Sequence, residues 1–164
     1  MDFFAAGEAA RHRLSVADHL LTQTYPLVKD PKLLLAVLQN LVEAVDAGVT
    51  SALHAEVSGK RLMAMPPDAE TRLTAFRQAS QRYGIDAEFF RFAEELRETL
   101  REHQSSPVEF VRKEQLVICD DKYKVRTLSE GQLKEDIHRA REFIEAIGNA
   151  GKVTEHDAVA TRRH

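Results

Sequence analysis

The stretch from Asp30 to Ser58 constrains the fold more than any other part of the chain. Asp30 suits the N-cap of a helix, and Pro31 suits its first turn, where the missing N–H leaves no hydrogen bond unmade. Small and apolar residues then recur at helical spacing: Leu34, Val37, Leu38, Leu41, Val45, Gly48, Val49 and Ala52. They lie within about 120° of arc, the stripe of a core-facing helix. A helix of this length spans about 40 Å and needs other helices along it. The stretch therefore predicts the central helix of a bundle.

Four other stretches also carry apolar residues at helical spacing. Together with the central helix they predict helices over residues 2–24, 31–58, 68–83, 87–104 and 129–147. The first should end at Tyr25-Pro26, because a residue before proline disfavours the helical conformation. The short loop that follows should fold the first two helices into a hairpin. The predicted fold class is all-α, an antiparallel helical bundle built on a long helical hairpin.

A change of composition predicts a small β-hairpin over residues 115–128, before the last helix. The segments LVIC and YKVRTL are rich in β-branched and aromatic residues, and the turn-forming sequence DDK separates them. A two-stranded hairpin is marginal by itself in water. We therefore expect it to pack on the bundle through Leu116, Ile118 or Val125.

The length and composition favour one soluble domain. We expect residues 1–150 of the 164-residue chain to form a single helical bundle and residues 151–164 to be a frayed tail. The net charge of −3 argues against a generally basic nucleic-acid-binding protein. The single cysteine, Cys119, excludes an internal disulfide and is expected to be a packed core residue. The sequence has no signal-peptide pattern and no run of about eighteen apolar residues, so we expect a cytoplasmic protein that does not bind membranes.

Apolar residues also flank the main stripe of the central helix. Leu35, Val42 and Leu53 lie on one side of it and Leu33 on the other. A narrow core stripe would not need them, so they predict a homodimer formed through the helical hairpin. The alternative is that the later helices wrap further round the central one and bury these residues within the chain.

The first two helices carry acidic residues and histidines of the kinds that bind metals in helical bundles. They are Glu8, His12, His19, Glu43, Asp46 and His54. Most of them lie opposite the apolar stripes, and neither helix has the Glu-x-x-His pair of a di-iron bundle. We interpret them as solvated faces and predict neither a metal site nor a cofactor. Arg13 falls inside the apolar arc of its helix, which suits an ion pair at the bundle edge, an anion-binding residue or a dimer contact.

The segment LRETLREHQSSP contains the most suggestive catalytic candidates, Arg97 and His103, with Arg101 between them. An arginine binds phosphate bidentately, and a histidine transfers protons near neutral pH. Together they would suit cleavage of RNA by its own 2′-hydroxyl without a metal. Two observations favour a structural role instead. His103 continues the apolar line of Leu96 and Leu100, and an unbroken helix would place Arg97 and His103 about 120° apart.

Basic residues downstream would extend such a site along a nucleic-acid backbone. The nucleic-acid-binding candidates are Arg101, Arg112, Lys113, Lys124 and Arg126. Acidic residues are interleaved with them, among them Glu109, Glu114 and Asp120, so the local charge nearly cancels.

Two segments carry a specific resemblance. The sequences TYPLVKDPKLLLAVLQNL at 24–41 and SPVEFVRKEQLVICDDKYKVRTLS at 106–129 resemble a family of small uncharacterised archaeal helical proteins. This resemblance runs from about Leu14 to Ile147 and implies a helical fold but no activity.

A looser resemblance is to HEPN domains. It is carried by the long helical hairpin, by Arg97 followed by His103, and by the late β-hairpin before the closing helix. The resemblance implies a helical bundle that dimerises and is either a metal-independent ribonuclease or a partner-binding protein. If the protein is a ribonuclease, the resemblance implies that Arg97 would bind the scissile phosphate and His103 would transfer protons. Two hypotheses follow: a HEPN-like RNA-binding protein or ribonuclease, and a non-catalytic protein–protein interaction module of the antitoxin or scaffold kind.

Overall fold

The computed structural model describes residues 2–105, 108–112, 115–119 and 125–161, and it describes side chains for 2–104, 115–117 and 127–151. The elements follow in chain order. They are α1 (Phe3–His19), a π turn (Leu20–Thr24), α2 (Tyr25–Val28), α3 (Lys32–Ser58), α4 (Ala69–Ala79), a 3₁₀ turn (Ser80–Tyr83), α5 (Ala87–Ser105), β1 (Val108–Arg112), β2 (Gln115–Cys119), β3 (Val125–Leu128) and α6 (Glu130–Thr161). The all-α fold class is confirmed.

Helix α3 is the centre of the bundle, as its stripe predicts. All eight stripe residues, from Leu34 to Ala52, are buried. The helix packs against α1, α4, α5 and α6. Rings from α4, α5 and α6 complete the core, and Phe76 lies within 5.7–6.3 Å of Phe89, Phe90 and Phe143, measured between ring centroids. The predicted antiparallel hairpin is formed by α1 and α3.

The apolar residues that flank the α3 stripe are covered by the chain itself. Val42 and Leu53 are buried, and Leu33 and Leu35 are partly buried against the core. This is the arrangement in which later helices wrap round α3. It accounts for Val42 and Leu53 without a second subunit, and the homodimer stays a prediction.

By length and hydropathy α3 also satisfies the criteria for a membrane span, with a mean hydropathy of 1.5, although the sequence has no uninterrupted apolar run of that length. The difference arises because scattered polar residues interrupt the apolar run without lowering its mean hydropathy below the usual threshold. Half of that window is buried inside the bundle. A buried core helix of a folded domain has the same composition, and one helix of this kind is weak evidence for a membrane protein.

The expected end of the first helix at Tyr25-Pro26 is wrong. Tyr25 is helical, with φ −57° and ψ −43°, and the helical path continues to Val28. The π turn that precedes Pro26 explains this, because the N–H of Tyr25 donates to Leu20 O, five residues back. A wider turn gives the proline ring room beside the preceding carbonyl groups. The path ends at Lys29, which is left-handed with φ 50°.

The predicted end of the last helix at Ile147 is also wrong, because α6 continues through Gly148 and Gly151 to Thr161. Neither glycine ends the helix, and Gly151 permits close packing against α1. A Cβ atom at Gly151 would overlap the ring of Phe3 on α1. The side chains beyond Gly151, in the segment expected to be a frayed tail, lie outside the described residues.

The sheet has three antiparallel strands in the order β1-β2-β3, where the sequence predicts two. The predicted hairpin is β2 and β3, with Leu116 opposite Leu128. The additional strand, β1, pairs with β2 and places Phe110 opposite Val117. Leu116 and Leu128 are buried in the core, which confirms the predicted anchor at Leu116. The side chains of Ile118, Cys119 and Val125 lie outside the described residues.

Candidate functional site

Helix α5 positions the two candidate catalytic residues. Its start is defined by Gly84, which is left-handed with φ 68°, and by Asp86, whose Oδ1 accepts a hydrogen bond from Phe89 N at 3.1 Å. The helix is continuous from Ala87 to Ser105. Arg97 and His103 therefore point in different directions, as expected for an unbroken helix.

Arg97 is held by a carboxylate of the central helix. Its guanidinium binds Asp46 Oδ1 on α3, and only 19% of the Arg97 side chain is exposed. Burial raises the pKa of Asp46 and outweighs the guanidinium groups of Arg97 and Arg72, which lower it. Among the described residues, Arg97 Nε is buried without a hydrogen-bond partner. The arginine thus ties α5 to α3.

His103 lies in the interior. It is 5% exposed, at the end of the line formed by the buried Leu96 and the partly buried Leu100. It is absent from the lining of the groove that Arg97 faces. General acid–base catalysis requires the transferred proton within hydrogen-bond reach of the catalytic group. Arg97 and His103 do not share one accessible site in this arrangement.

The groove beside Arg97 runs between α4 and α5 and has a volume of about 290 Å³. It is lined by Glu70, Leu73, Thr74, Arg77, Glu94, Arg97, Glu98 and Arg101. Its three arginines face three glutamates. Ion pairs join Arg77 to Glu94 at 3.1 Å, and Arg101 to Glu70 at 2.6 Å and to Glu98 at 3.2 Å. The lining is therefore balanced in charge.

The structure brings one of the other basic candidates to this groove, Arg101. The backbones of Arg112 and Arg126 lie in β1 and β3, but their side chains lie outside the described residues, as do Lys113 and Lys124. A continuous basic track from Arg101 to Arg126 stays a prediction.

The polar faces of α1 and α3 are used in ion pairs. Arg13 Nε binds Glu43 Oε2 at 3.0 Å, and Arg13 also donates to Asn40 Oδ1 at 3.3 Å. This is the predicted ion pair at the bundle edge. Glu8 binds Arg11, and burial lowers the pKa of His54. Within the described residues no three His, Cys, Asp or Glu side chains are grouped in a way that would hold a metal ion.

A buried carboxylate, Glu56, lies at the end of α3 and is not among the candidate residues predicted from the sequence. Glu56 is 3% exposed and accepts hydrogen bonds from Arg61 Nε at 2.9 Å and from the Tyr83 hydroxyl at 2.9 Å. Burial is the main cause that raises the pKa of Tyr83, and the hydrogen bond of its hydroxyl to Glu56 raises it further. The sequence signal is the position of Glu56 four residues after Ala52, which continues the apolar stripe. The cluster joins α3, the loop after it and the 3₁₀ turn.

The fold and these contacts define an all-α bundle with a small antiparallel sheet and no acid–base pair exposed at the predicted site. No protein-family model, curated protein or solved structure matches the chain. The resemblances to archaeal helical proteins and to HEPN domains therefore stay predictions.

Proposed function

We propose that this protein is a non-catalytic protein–protein interaction module. The observation that carries the proposal is the burial of His103 away from the groove that contains Arg97. A histidine in that position has no route to the 2′-hydroxyl or the leaving oxygen of an RNA bound at Arg97. The guanidinium of Arg97 already forms an ion pair with Asp46. Both residues have a structural role in α5, and partner proteins bind to surfaces between the helices.

The proposal is tested by RNA cleavage. Purified protein is incubated with end-labelled single-stranded RNA between about pH 6 and 8, the range in which a histidine changes charge, with EDTA present. We expect no cleavage by the wild type, and a lower melting temperature for His103→Ala because its buried side chain is lost. Cleavage by the wild type that disappears in both His103→Ala and Arg97→Ala would overturn the proposal.

A second candidate function, RNA binding without catalysis, is favoured by the three arginines of the α4–α5 groove. Arg77 and Arg101 are more than half exposed, and a phosphate would compete with their glutamate partners. The double variant Arg77→Gln/Arg101→Gln should then weaken RNA binding and reduce its salt dependence. If wild-type protein binds no RNA at low salt, this candidate is excluded.

A further inference from the structure

A second groove separates the start of α5 from the middle of α6. It has a volume of about 390 Å³, within the usual range of about 300–1,000 Å³ for ligand pockets. Its lining combines aromatic and acidic residues, and we name it the α5–α6 cleft. It is lined by Gly84, Ile85, Asp86, Glu88, Phe89, Phe92, Arg139, Glu142, Phe143 and Ala146.

The floor of the α5–α6 cleft is aromatic and firmly packed. Phe89 and Phe143 stack with their ring centroids 3.9 Å apart, and Phe92 lies beside Phe89 at 6.2 Å. The guanidinium carbon of Arg139 lies 5.6 Å from the centroid of the Phe92 ring. The chain thus already places one of its own cations against this floor.

The rim of the cleft is acidic. Asp86, Glu88 and Glu142 contribute three carboxylates, against one guanidinium from Arg139. Two of these carboxylates have further roles: Asp86 accepts the Phe89 N–H, and Glu142 lies 3.0 Å from His138 Nε2. The carboxylates outnumber the guanidinium, so the cleft favours a cation and disfavours a carboxylate or a phosphate.

We propose that the α5–α6 cleft binds an arginine or lysine side chain of a partner protein, carried on an apolar segment. The aliphatic stem of such a residue packs on Ile85 and the phenylalanine rings, and its charged head reaches the carboxylates of Glu88 and Glu142. Apolar neighbours of the basic residue cover the remaining apolar wall at Ala146. This inference rests on the proposed function and specifies the partner as a basic, apolar segment.

The test uses the full chain and two labelled peptides. One peptide alternates leucine with arginine over six residues, and its counterpart alternates leucine with glutamate. Fluorescence anisotropy should show binding of the arginine peptide at about 50 mM salt and none of the glutamate peptide. No binding of the arginine peptide up to about 1 mM would overturn the inference.

Variants separate the cleft from general attraction to an acidic surface. Glu88→Gln/Glu142→Gln should weaken binding about three- to tenfold, the range expected for losing two exposed ion pairs. The matched control Glu94→Gln/Glu145→Gln removes the same charge from the same two helices outside the cleft and should leave binding within about twofold. Ala146→Phe fills the cleft without a charge change and should also weaken binding, with an unchanged circular dichroism spectrum. Equal weakening in the control, or full binding by Ala146→Phe, would overturn the inference.

The outcome is independent of the RNA assays. RNA cleavage by the wild type would overturn the proposed function whether or not the peptide binds. Absence of peptide binding together with uncut RNA would overturn only the assignment of the cleft.

Discussion

Arg97 and Glu56 are largely buried charged residues that hold elements together. Arg97 links α5 to α3, and Glu56 links α3 to the loop after it and to the 3₁₀ turn. In each case a charged group lies on the core side of a helix, where an unpaired charge would be costly. The role of Arg97 and Glu56 as links between elements is evident only from the partners that the fold gives them.

Glu56→Ala should lower the free energy of unfolding by about 1–3 kcal/mol, because Arg61 and Tyr83 both lose their shared acceptor. The cost stays in that range because Arg61 is partly exposed and can turn toward water. Urea unfolding measures the change. The control is Glu94→Ala, which removes an exposed carboxylate paired with Arg77 and should change the value by less than about 1 kcal/mol. Equal effects of the two substitutions would show that Glu56 does not stabilise the contact between α3, the loop after it and the 3₁₀ turn.

Asp136 gives a prediction about pH. Burial raises its pKa above the ordinary value of 3.8, more than its hydrogen bond from Gln132 lowers it. The folded protein therefore keeps this proton at a pH where the unfolded chain has released it, so stability falls as pH rises through that window. Asp136→Asn removes this effect. The free energy of unfolding of Asp136→Asn, compared with that of the wild type, should increase as the pH rises above the ordinary carboxyl pKa of 3.8. Below that pH the difference between the two proteins should stay constant.

Urea titrations at about pH 3, 5 and 7 compare the two proteins. Glu145→Gln, which removes an exposed carboxylate of α6 that does not affect the pKa of Asp136, serves as the control. A difference between Asp136→Asn and wild type that does not change with pH would contradict the assignment.

At the scale of elements, the local signals predict helix starts better than helix ends. Asp68 caps α4 by accepting from Thr71 N, Asp86 caps α5, and Ser129 Oγ accepts from Gln132 N at the start of α6. Each start depends on a side chain within three residues of the backbone it caps. The predicted helix ends at Pro26 and Ile147 are wrong. Pro26 follows a π turn that accommodates its ring, and Gly151, beyond Ile147, allows a close contact with Phe3 on α1 instead of ending the helix.

Gly48 marks such a contact between α3 and α6. A Cβ atom placed there would lie 2.8 Å from Phe143 Cε1, and that ring is stacked on Phe89. Gly48→Ala should therefore lower the free energy of unfolding by about 1–3 kcal/mol, the usual cost of overpacking a core. Gly131→Ala is the matched control, because no atom lies within 4 Å of its Cβ position. It should be neutral or stabilising, since alanine favours a helix. Thermal unfolding that ranks Gly48→Ala as the more stable of the two would contradict this packing.

At the scale of the whole molecule, periodicity predicts the bundle but not the site. The stripe of α3 depends only on spacing within one helix, so it could be read directly from the sequence. The pairing of Arg97 with Asp46 joins residues 51 positions apart, and no local pattern specifies it. The burial of His103 depends likewise on how α5 is rotated against α3. A short motif such as Arg97 with His103 therefore identifies residues worth attention, while tertiary packing decides whether they share a site.

The homodimer is the prediction that concerns the whole molecule. Because Val42 and Leu53 are buried, we place the predicted contact at the tip of the helical hairpin, in α2, where Leu27 is 87% exposed and Val28 60% exposed. Exposed neighbouring apolar residues favour association. We expect the wild type to sediment as a dimer at tens of micromolar and Leu27→Ser/Val28→Ser to sediment as a monomer. Met63→Ser, which changes a fully exposed residue beyond the other end of α3, should remain dimeric. A monomeric wild type would contradict the dimer itself, whereas a dimeric double variant would place the contact elsewhere on the chain.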